Sequence, residues 1–128
     1  MITHNKSLAE AAANAGVRDS LDYAIFQNKG YQGLYGGLKA KDIQKRQNIL
    51  DLMGSTELAA NLFRATQTDE KLRREQITGK ENAYRTHFEV GRIVRKTIQE
   101  LGGTMPENLP TPDKSIKEIE KEHKKKLQ

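Results

Sequence analysis

The chain has 128 residues, of which 35% are hydrophobic, 30% charged and 5% aromatic, and its formal net charge is +5. That length suits one domain with a modest core under a charged surface, and the basic excess favours an acidic partner: DNA, RNA, an anionic membrane or an acidic protein face. The absence of cysteine excludes disulfides, thiolate metal sites and a cysteine nucleophile, and no run approaches the ~18 apolar residues of a membrane span or forms a secretory signal, so the cytoplasm is the expected location.

Residues 7–15 are rich in alanine, the best helix former, with Leu8, Ala11, Ala12 and Ala15 on one face and Gly16 placed to end the helix. Ser20 is a suitable cap for a second helix, with Asp22 in its first turn and Leu21, Ala24 and Ile25 as its apolar face beside Phe26. Gly30, Gly33, Gly36 and Gly37 then interleave with Tyr31, Leu34 and Tyr35, which reads as a compact loop or broken helix whose aromatics pack inward. Ile43, Ile49, Leu50 and Met53 mark a helix with a basic opening at Lys39, Lys41, Lys45 and Arg46. Gly54 stops it, and Ser55 can cap a helix in which Leu58, Leu62 and Ala65 recur at i, i+4 and i+7, with Ala59 and Phe63 alongside. Thr68 can start a short charged helix through Arg74.

Thr78-Gly79-Lys80-Glu81 has capping-box spacing and opens the longest periodic segment, with a stripe of Tyr84, Phe88, Gly91, Val94, Ile98 and Leu101 ended by Gly102-Gly103. Pro106, Pro110 and Pro112 hold an extended connection. Ser115-Ile116-Lys117-Glu118 opens a last helix with a thin stripe of Ile116, Ile119, His123 and Leu127, supported by the pairs Glu120/Lys124 and Glu122/Lys126. No strand pattern and no internal repeat is evident. The expected fold is all-α: a compact bundle of about six helices with a Gly/Tyr-rich loop and a Pro-rich connection to a C-terminal helix. Residues 1–104 would form the helical core, 105–114 the connector and 115–128 the charged helix. The two strongest stripes predict that Phe88, Val94 and Ile98 pack against the helix over 56–65.

The chemistry is sparse. His4, His87 and His123 are far apart and none lies in an H-E-x-x-H arrangement, so no metal and no cofactor is expected, and His87 reads as a helix-surface histidine. The glycines at 30, 33 and 36 lack the preceding strand and the G-K-[ST] of a phosphate loop; tight turns around Tyr31 and Tyr35 are the plain reading, an aromatic base-stacking platform the sharper one. Carboxylates fall mostly on polar faces or caps and no serine has a nearby histidine, so binding rather than catalysis is expected. The basic positions offer more. Arg85, Arg92 and Lys96 share one side of the long helix at i, i+7 and i+11, Arg95 adjoins them, and Arg64, Arg73 and Arg74 cluster upstream. Guanidinium forks suit phosphates and carboxylates. The competing reading is a solvated face on which Glu89 neutralises both Arg85 and Arg92.

Several long motifs resemble the C-terminal half of the bacterial DNA-damage-inducible protein D family. They are His4-Asn5-Lys6-Ser7-Leu8, Ala24-Ile25-Phe26-Gln27-Asn28 through Gly36-Gly37-Leu38, and Ile49-Leu50-Asp51-Leu52-Met53-Gly54-Ser55 through Ala65-Thr66-Gln67-Thr68. Thr86-His87-Phe88-Glu89-Val90-Gly91-Arg92, the stretch from Thr97 to Glu107 and Leu109-Pro110-Thr111-Pro112 continue the resemblance, in order, over nearly the whole chain. It implies an SOS-response module that inhibits or disassembles RecA recombinase filaments on single-stranded DNA, with RecA as partner, single-stranded DNA as a further contact, no membrane, and homo-oligomers as an open possibility. The alternative is a phage-related regulatory module that self-associates without touching DNA. Two departures from the family stand out. The N-terminal domain resembling phage antirepressors is lacking, as in a dissected fragment or a stand-alone variant, and the segment 39–48 is shorter than the family pattern, which puts any contact by that turn in doubt.

Overall fold

A computed structural model describes residues 2–37 and 54–109. These form four α-helices, α1 (Ile2–Asn14), α2 (Ser20–Leu34), α3 (Ser55–Arg74) and α4 (Lys80–Glu100), followed by a 3-10 turn at Pro106–Asn108, with no strand among the described residues. The helices expected near residues 43–53 and 115–127 lie outside the described residues. Two expectations merge into one element: the charged segment from Thr68 continues the helix before it, so α3 runs unbroken for 20 residues. The glycine-rich stretch is likewise no loop as far as Leu34, because Gly30 and Gly33 sit inside α2.

All four helices end in the same hydrogen-bonded wrap. The amide of the second residue past the cap reaches back to a carbonyl in the last turn: Val17 to Ala12 (2.9 Å), Gly37 to Gln32 (2.7 Å), Ile77 to Leu72 (3.1 Å) and Gly103 to Ile98 (2.9 Å). This wrap requires a left-handed residue just past the cap. Gly16, Gly36 and Gly102 fill it freely, but α3 uses Gln76 at φ 50. The helix starts differ from the sequence reading. Asp19, not Ser20, caps α2 by accepting the Asp22 amide, while α3 and α4 begin at Gly54 and Gly79 with no side-chain cap. The expected capping box at Thr78 does not form; instead the Asn82 amide donates to the Thr78 carbonyl.

The turn from α1 to α2 and the turn from α3 to α4 repeat one hydrogen-bond pattern 60 residues apart, Val17 onto Ile77, but enter the second helix differently: Asp19 is extended at φ -92, whereas Gly79 has φ 91. The two helix–turn–helix units stack like on like. Ser7 meets Asp69 and Arg73, and Ala11 to Ala15 line a cleft with Leu72 to Ile77, so α1 runs beside α3 in the same sense. Asp22 meets Lys80, Phe26 meets His87 and Leu34 meets Arg95, so α2 runs beside α4 likewise. The two units thus share helix-end hydrogen bonding and packing sense, while matched positions differ in side chain, as at Ala12/Leu72, and in backbone, as at Asp19/Gly79.

The closest packing joins α2 to α4; of the residues expected to pack on the helix over 56–65, Val94 and Ile98 share a cluster with Leu58 and Ala60, and Phe88 does not. A β-carbon on Gly91 would stand 2.6 Å from the Gly30 carbonyl oxygen and 2.9 Å from the Leu34 amide nitrogen; Gly33 faces the Phe88 carbonyl and Gly30 faces the His87 ring. Around this seam lie two apolar clusters. One holds Leu8, Ala11, Ala12, Ala15, Val17, Phe26, Ala65, Leu72 and Ala83, so the α1 face was read correctly. The other holds Leu34, Tyr35, Val90 and Val94, flanked by Tyr31, Leu58 and Ile98. Phe88 belongs to neither cluster, and Leu101 and Leu21 are exposed. The buried face of α4 passes through Ala83, His87, Val90, Gly91 and Val94, about one position away from the stripe read in the sequence. The correction on α3 is larger: it buries Glu57, Asn61, Arg64 and Thr68 and exposes Phe63.

Two substitutions separate these effects. Gly91→Ala should lower stability by roughly 2 kcal/mol: overpacking against two backbones costs about 1–3 kcal/mol or more and outweighs the better helix propensity of alanine, about 1 kcal/mol. Gln76→Gly should raise stability by about 1 kcal/mol by relieving a left-handed non-glycine residue. Urea unfolding monitored by circular dichroism checks both, and a neutral Gly91→Ala would show that the α2–α4 seam can open without loss.

Candidate functional site

The buried face of α3 carries a polar network. The Tyr35 hydroxyl donates to Glu57 Oε2 (2.5 Å) and accepts from Asn61 Nδ2 (2.9 Å), and Asn61 Oδ1 accepts from Arg64 Nη2 (3.3 Å). Arg64 Nη1 donates to His87 Nε2 (2.5 Å). A guanidinium can only donate, so Nε2 is the bare nitrogen and Nδ1–H donates to the Phe26 carbonyl (2.8 Å). The guanidinium also lies over the Tyr31 ring, 5.0 Å from its centroid. Among the described residues no carboxylate pairs directly with Arg64, and Asn61 and Tyr35 link it to Glu57. Burial pushes the Arg64 pKa down, and the phenols of Tyr31, Tyr35 and Tyr23 act in the opposite sense.

His87 is fully buried, not on the helix surface as expected. Burial first, and then the Arg64 charge, hold its pKa well below the usual histidine value, against the opposing hydrogen bond to Phe26. Tyr35 is raised by burial and by its bond to Glu57. Sequence reasoning missed this network because polar residues on a helix read as its wet face; the only signal was that Glu57, Asn61, Arg64 and Thr68 themselves recur at helical spacing.

The structure separates the seven basic candidates. Arg64 is 1% exposed, so it offers a partner no free guanidinium and drops out of any surface set. Arg73 pairs with Asp69 (2.6 Å) and donates to the Ser7 carbonyl; Arg74 pairs with Glu70 and Glu75. Arg95 makes a two-pronged bond to Glu107 (2.7 and 2.8 Å) and a third to the Leu34 carbonyl, tying residues 105–109 to α2 and α4. Burial alone would raise the Glu107 carboxyl, but the bonds from Arg95 bring it below the usual carboxylate range. Arg92 pairs with Glu89 (2.8 Å). Glu89 thus neutralises one arginine and leaves the other: among the described residues Arg85 has only a 3.5 Å contact to the Asn82 amide oxygen, and Lys96 has no ion pair. Arg85, Arg92 and Lys96 remain together as exposed residues along α4, with three turns, about 16 Å, between the first and the last. Among the described residues no three His, Asp or Glu side chains converge on a metal position, and no helix is long and apolar enough to cross a membrane.

The buried histidine makes stability depend on pH. The folded state keeps His87 neutral, whereas the unfolded chain binds a proton there below about pH 6.5. Stability should therefore be undiminished above that value and fall by up to about 1.4 kcal/mol per pH unit below it, until the folded pKa is reached. Thermal melts between pH 7 and 5 should show a loss that His87→Gln removes, whatever that substitution does to stability at pH 7. An unchanged slope in the variant would assign the loss to other groups.

Comparison with known proteins fits this geometry into a lineage. The chain is 65% identical over 123 residues to the DNA damage-inducible protein D of Escherichia coli (strain K12), a match covering 91% of this chain but 45% of that protein. It thus spans less than half the length of this relative. No solved structure matches. The family profile described as the DinD C-terminal domain matches residues 1–119, and with most of its length so covered the chain belongs to the DinD C-terminal domain family.

Proposed function

We propose that this module acts by binding, without catalysis, and that it inhibits or disassembles RecA filaments on single-stranded DNA by docking the exposed cationic face of α4 against the filament. The observation that carries this reading is the pair Arg85 and Lys96, which lie along one helix face without a carboxylate partner among the described residues, in a chain of net charge +5. An unpaired surface cation loses no existing partner when it meets a phosphate or a carboxylate, whereas Arg73, Arg74 and Arg95 would have to break bonds first. Family membership supports a role in the response to DNA damage. RecA and the filament belong to the proposal.

The test is a pull-down of the chain by RecA-coated single strands, by naked strands and by free RecA at several salt concentrations. The double reversal Arg85→Glu/Lys96→Glu should weaken capture by coated strands and lower the slope of log affinity against log salt by up to about 1.4, taking about 0.7 for each single-strand phosphate contact. Stability should stay within about 0.5 kcal/mol, because both side chains are exposed. Equal capture of the double variant and the parent would overturn the assignment of this face.

One observation favours a second reading, self-association without DNA. Phe63 and Ile93 are each about half exposed (52% and 53%) and flank a groove of ≈ 380 Å³ between α3 and α4 that also includes Val90 and Val94. Under that reading sedimentation equilibrium would show dimers that Phe63→Asp dissociates, and the α4 reversals would leave them intact.

A further inference from the structure

Phe88 is a large aromatic residue that has joined neither apolar cluster. It lines a separate open cleft of ≈ 360 Å³ between the parallel helices α2 and α4, together with Tyr84, Lys29, Gln32, Arg85 and Glu81. We infer that this cleft is a single-stranded nucleic-acid subsite, in which one unstacked base lies against Phe88 while Lys29 and Arg85 hold the adjoining phosphates. The inference deepens the proposed function and rests on it for its biological setting.

Among the described residues neither Lys29 nor Arg85 forms an ion pair, although short i, i+4 pairs are frequent elsewhere, such as Arg73 with Asp69 and Lys71 with Glu75. Glu89, four residues after Arg85, is taken by Arg92. Glu81, four residues before Arg85, is the one carboxylate lining the cleft, and it forms no ion pair with either cation. Lys29 comes from α2 and Arg85 from α4, so the two positive groups belong to opposite walls around an aromatic ring and an amide. An apolar ring flanked by free cations fits a ligand with a flat π-face and negative charge on either side, which a strand of nucleotides presents at every position. Gln32 adds an amide that can donate to or accept from a base edge. An acidic peptide would satisfy the cations but offers no regular planar group for Phe88.

The same geometry relocates the stacking platform imagined at Tyr31 and Tyr35. Tyr35 is 2% exposed and bonded to Glu57 and Asn61, and Tyr31 lies beneath the Arg64 guanidinium, so neither face is open to a base. Beyond the cleft, Arg92 and Lys96 continue the α4 face, which gives a strand leaving Phe88 a cationic track to follow.

The test uses the full chain and a fluorescent fifteen-residue thymidine oligonucleotide at low salt, followed by anisotropy, with a parallel strand carrying one 2-aminopurine to report base stacking. Phe88→Leu should weaken binding by roughly 5- to 150-fold, the range of one lost base–aromatic stack, and abolish the 2-aminopurine response, whereas Phe88→Tyr should retain both. Lys29→Glu and Arg85→Glu should each weaken binding more than Lys6→Glu, which makes the same charge change on an exposed residue of α1 outside the cleft. Equal binding by Phe88→Leu with a preserved melting temperature would overturn the proposal, as would equal weakening by all three reversals, which marks diffuse charge attraction. A poly-glutamate peptide that binds with Phe88 dependence while the oligonucleotide does not would also overturn it. If the parent chain fails to bind the naked oligonucleotide but is captured by RecA-coated strands, the subsite falls and the proposed function stands. If it binds the oligonucleotide in a Phe88-dependent way but ignores RecA filaments, the proposed function falls and the subsite stands.

Discussion

The arrangement depends on how closely α2 and α4 approach. Gly33 and Gly91 let two helix backbones touch where a methyl group would collide with a carbonyl or an amide, and at Gly30 it would collide with the His87 ring. Glycine inside a helix costs about 1 kcal/mol of propensity relative to alanine, so these positions weaken the helices that carry them. What they permit is larger: Gly30 makes the space that the His87 ring occupies, and the His87 ring receives Arg64. A side chain at position 30 would displace the histidine, and the arginine behind it would lose its acceptor. Close packing of two helices and the burial of a cation on a third are thus one event.

That coupling explains why α3 turns its polar face inward. A buried guanidinium needs partners, because an unpaired buried charge costs several kcal/mol. Here Nη1 meets a histidine nitrogen, Nη2 an asparagine oxygen and the guanidinium plane an aromatic face, each from a residue that could read as surface in isolation, while the buried Nε has no hydrogen-bond partner among the described residues. The network fixes the register of α3 against α2 and α4 by geometry that apolar contacts alone would leave loose. Once Arg64 points inward, Phe63 on the same helix is carried outward to the α3–α4 groove.

The stacked helix–turn–helix units divide the molecule's tasks. The α1–α3 pair is alanine-rich and dry, with Ala11, Ala12 and Ala65 in one cluster. The α2–α4 pair carries the glycine seam, the buried histidine and, on its outer edge, the cleft at Phe88. Ion pairing divides the surface in the same manner. Among the described residues, carboxylates hold Arg73, Arg74, Arg92 and Arg95, while Lys6, Arg18, Lys29, Arg85 and Lys96 form no ion pair; the last three lie on α4 and the facing edge of α2. Counting arginines in a sequence would place the binding face across α3 and α4 equally; setting the paired ones aside leaves the largest group of cations on α4 and the facing edge of α2.

The sequence by itself determined the all-helical class, the family, the α1 core face and the C-terminal ends of α1 and α4, but not the start of α1, which begins at Ile2 rather than near Ser7. These rest on local physics: alanine propensity, glycine at a left-handed position and a long run of helical periodicity read correctly without knowing the neighbours. The phase of the α4 stripe, the burial of Glu57, Asn61, Arg64 and His87, the continuation of α2 through its glycines and the pairing of α1 with α3 and of α2 with α4 were decided by tertiary structure. Each depends on a partner distant in the chain. A glycine reads as a helix breaker until a second backbone is seen to lie against it, and a polar residue reads as solvated until its hydrogen-bond partner arrives from another helix. Phe88 shows the same limit from the opposite side. Its apolar side chain signals a core position, yet with the seam closed by Gly91 and His87 the ring is left at the edge of a cleft between two unpaired cations.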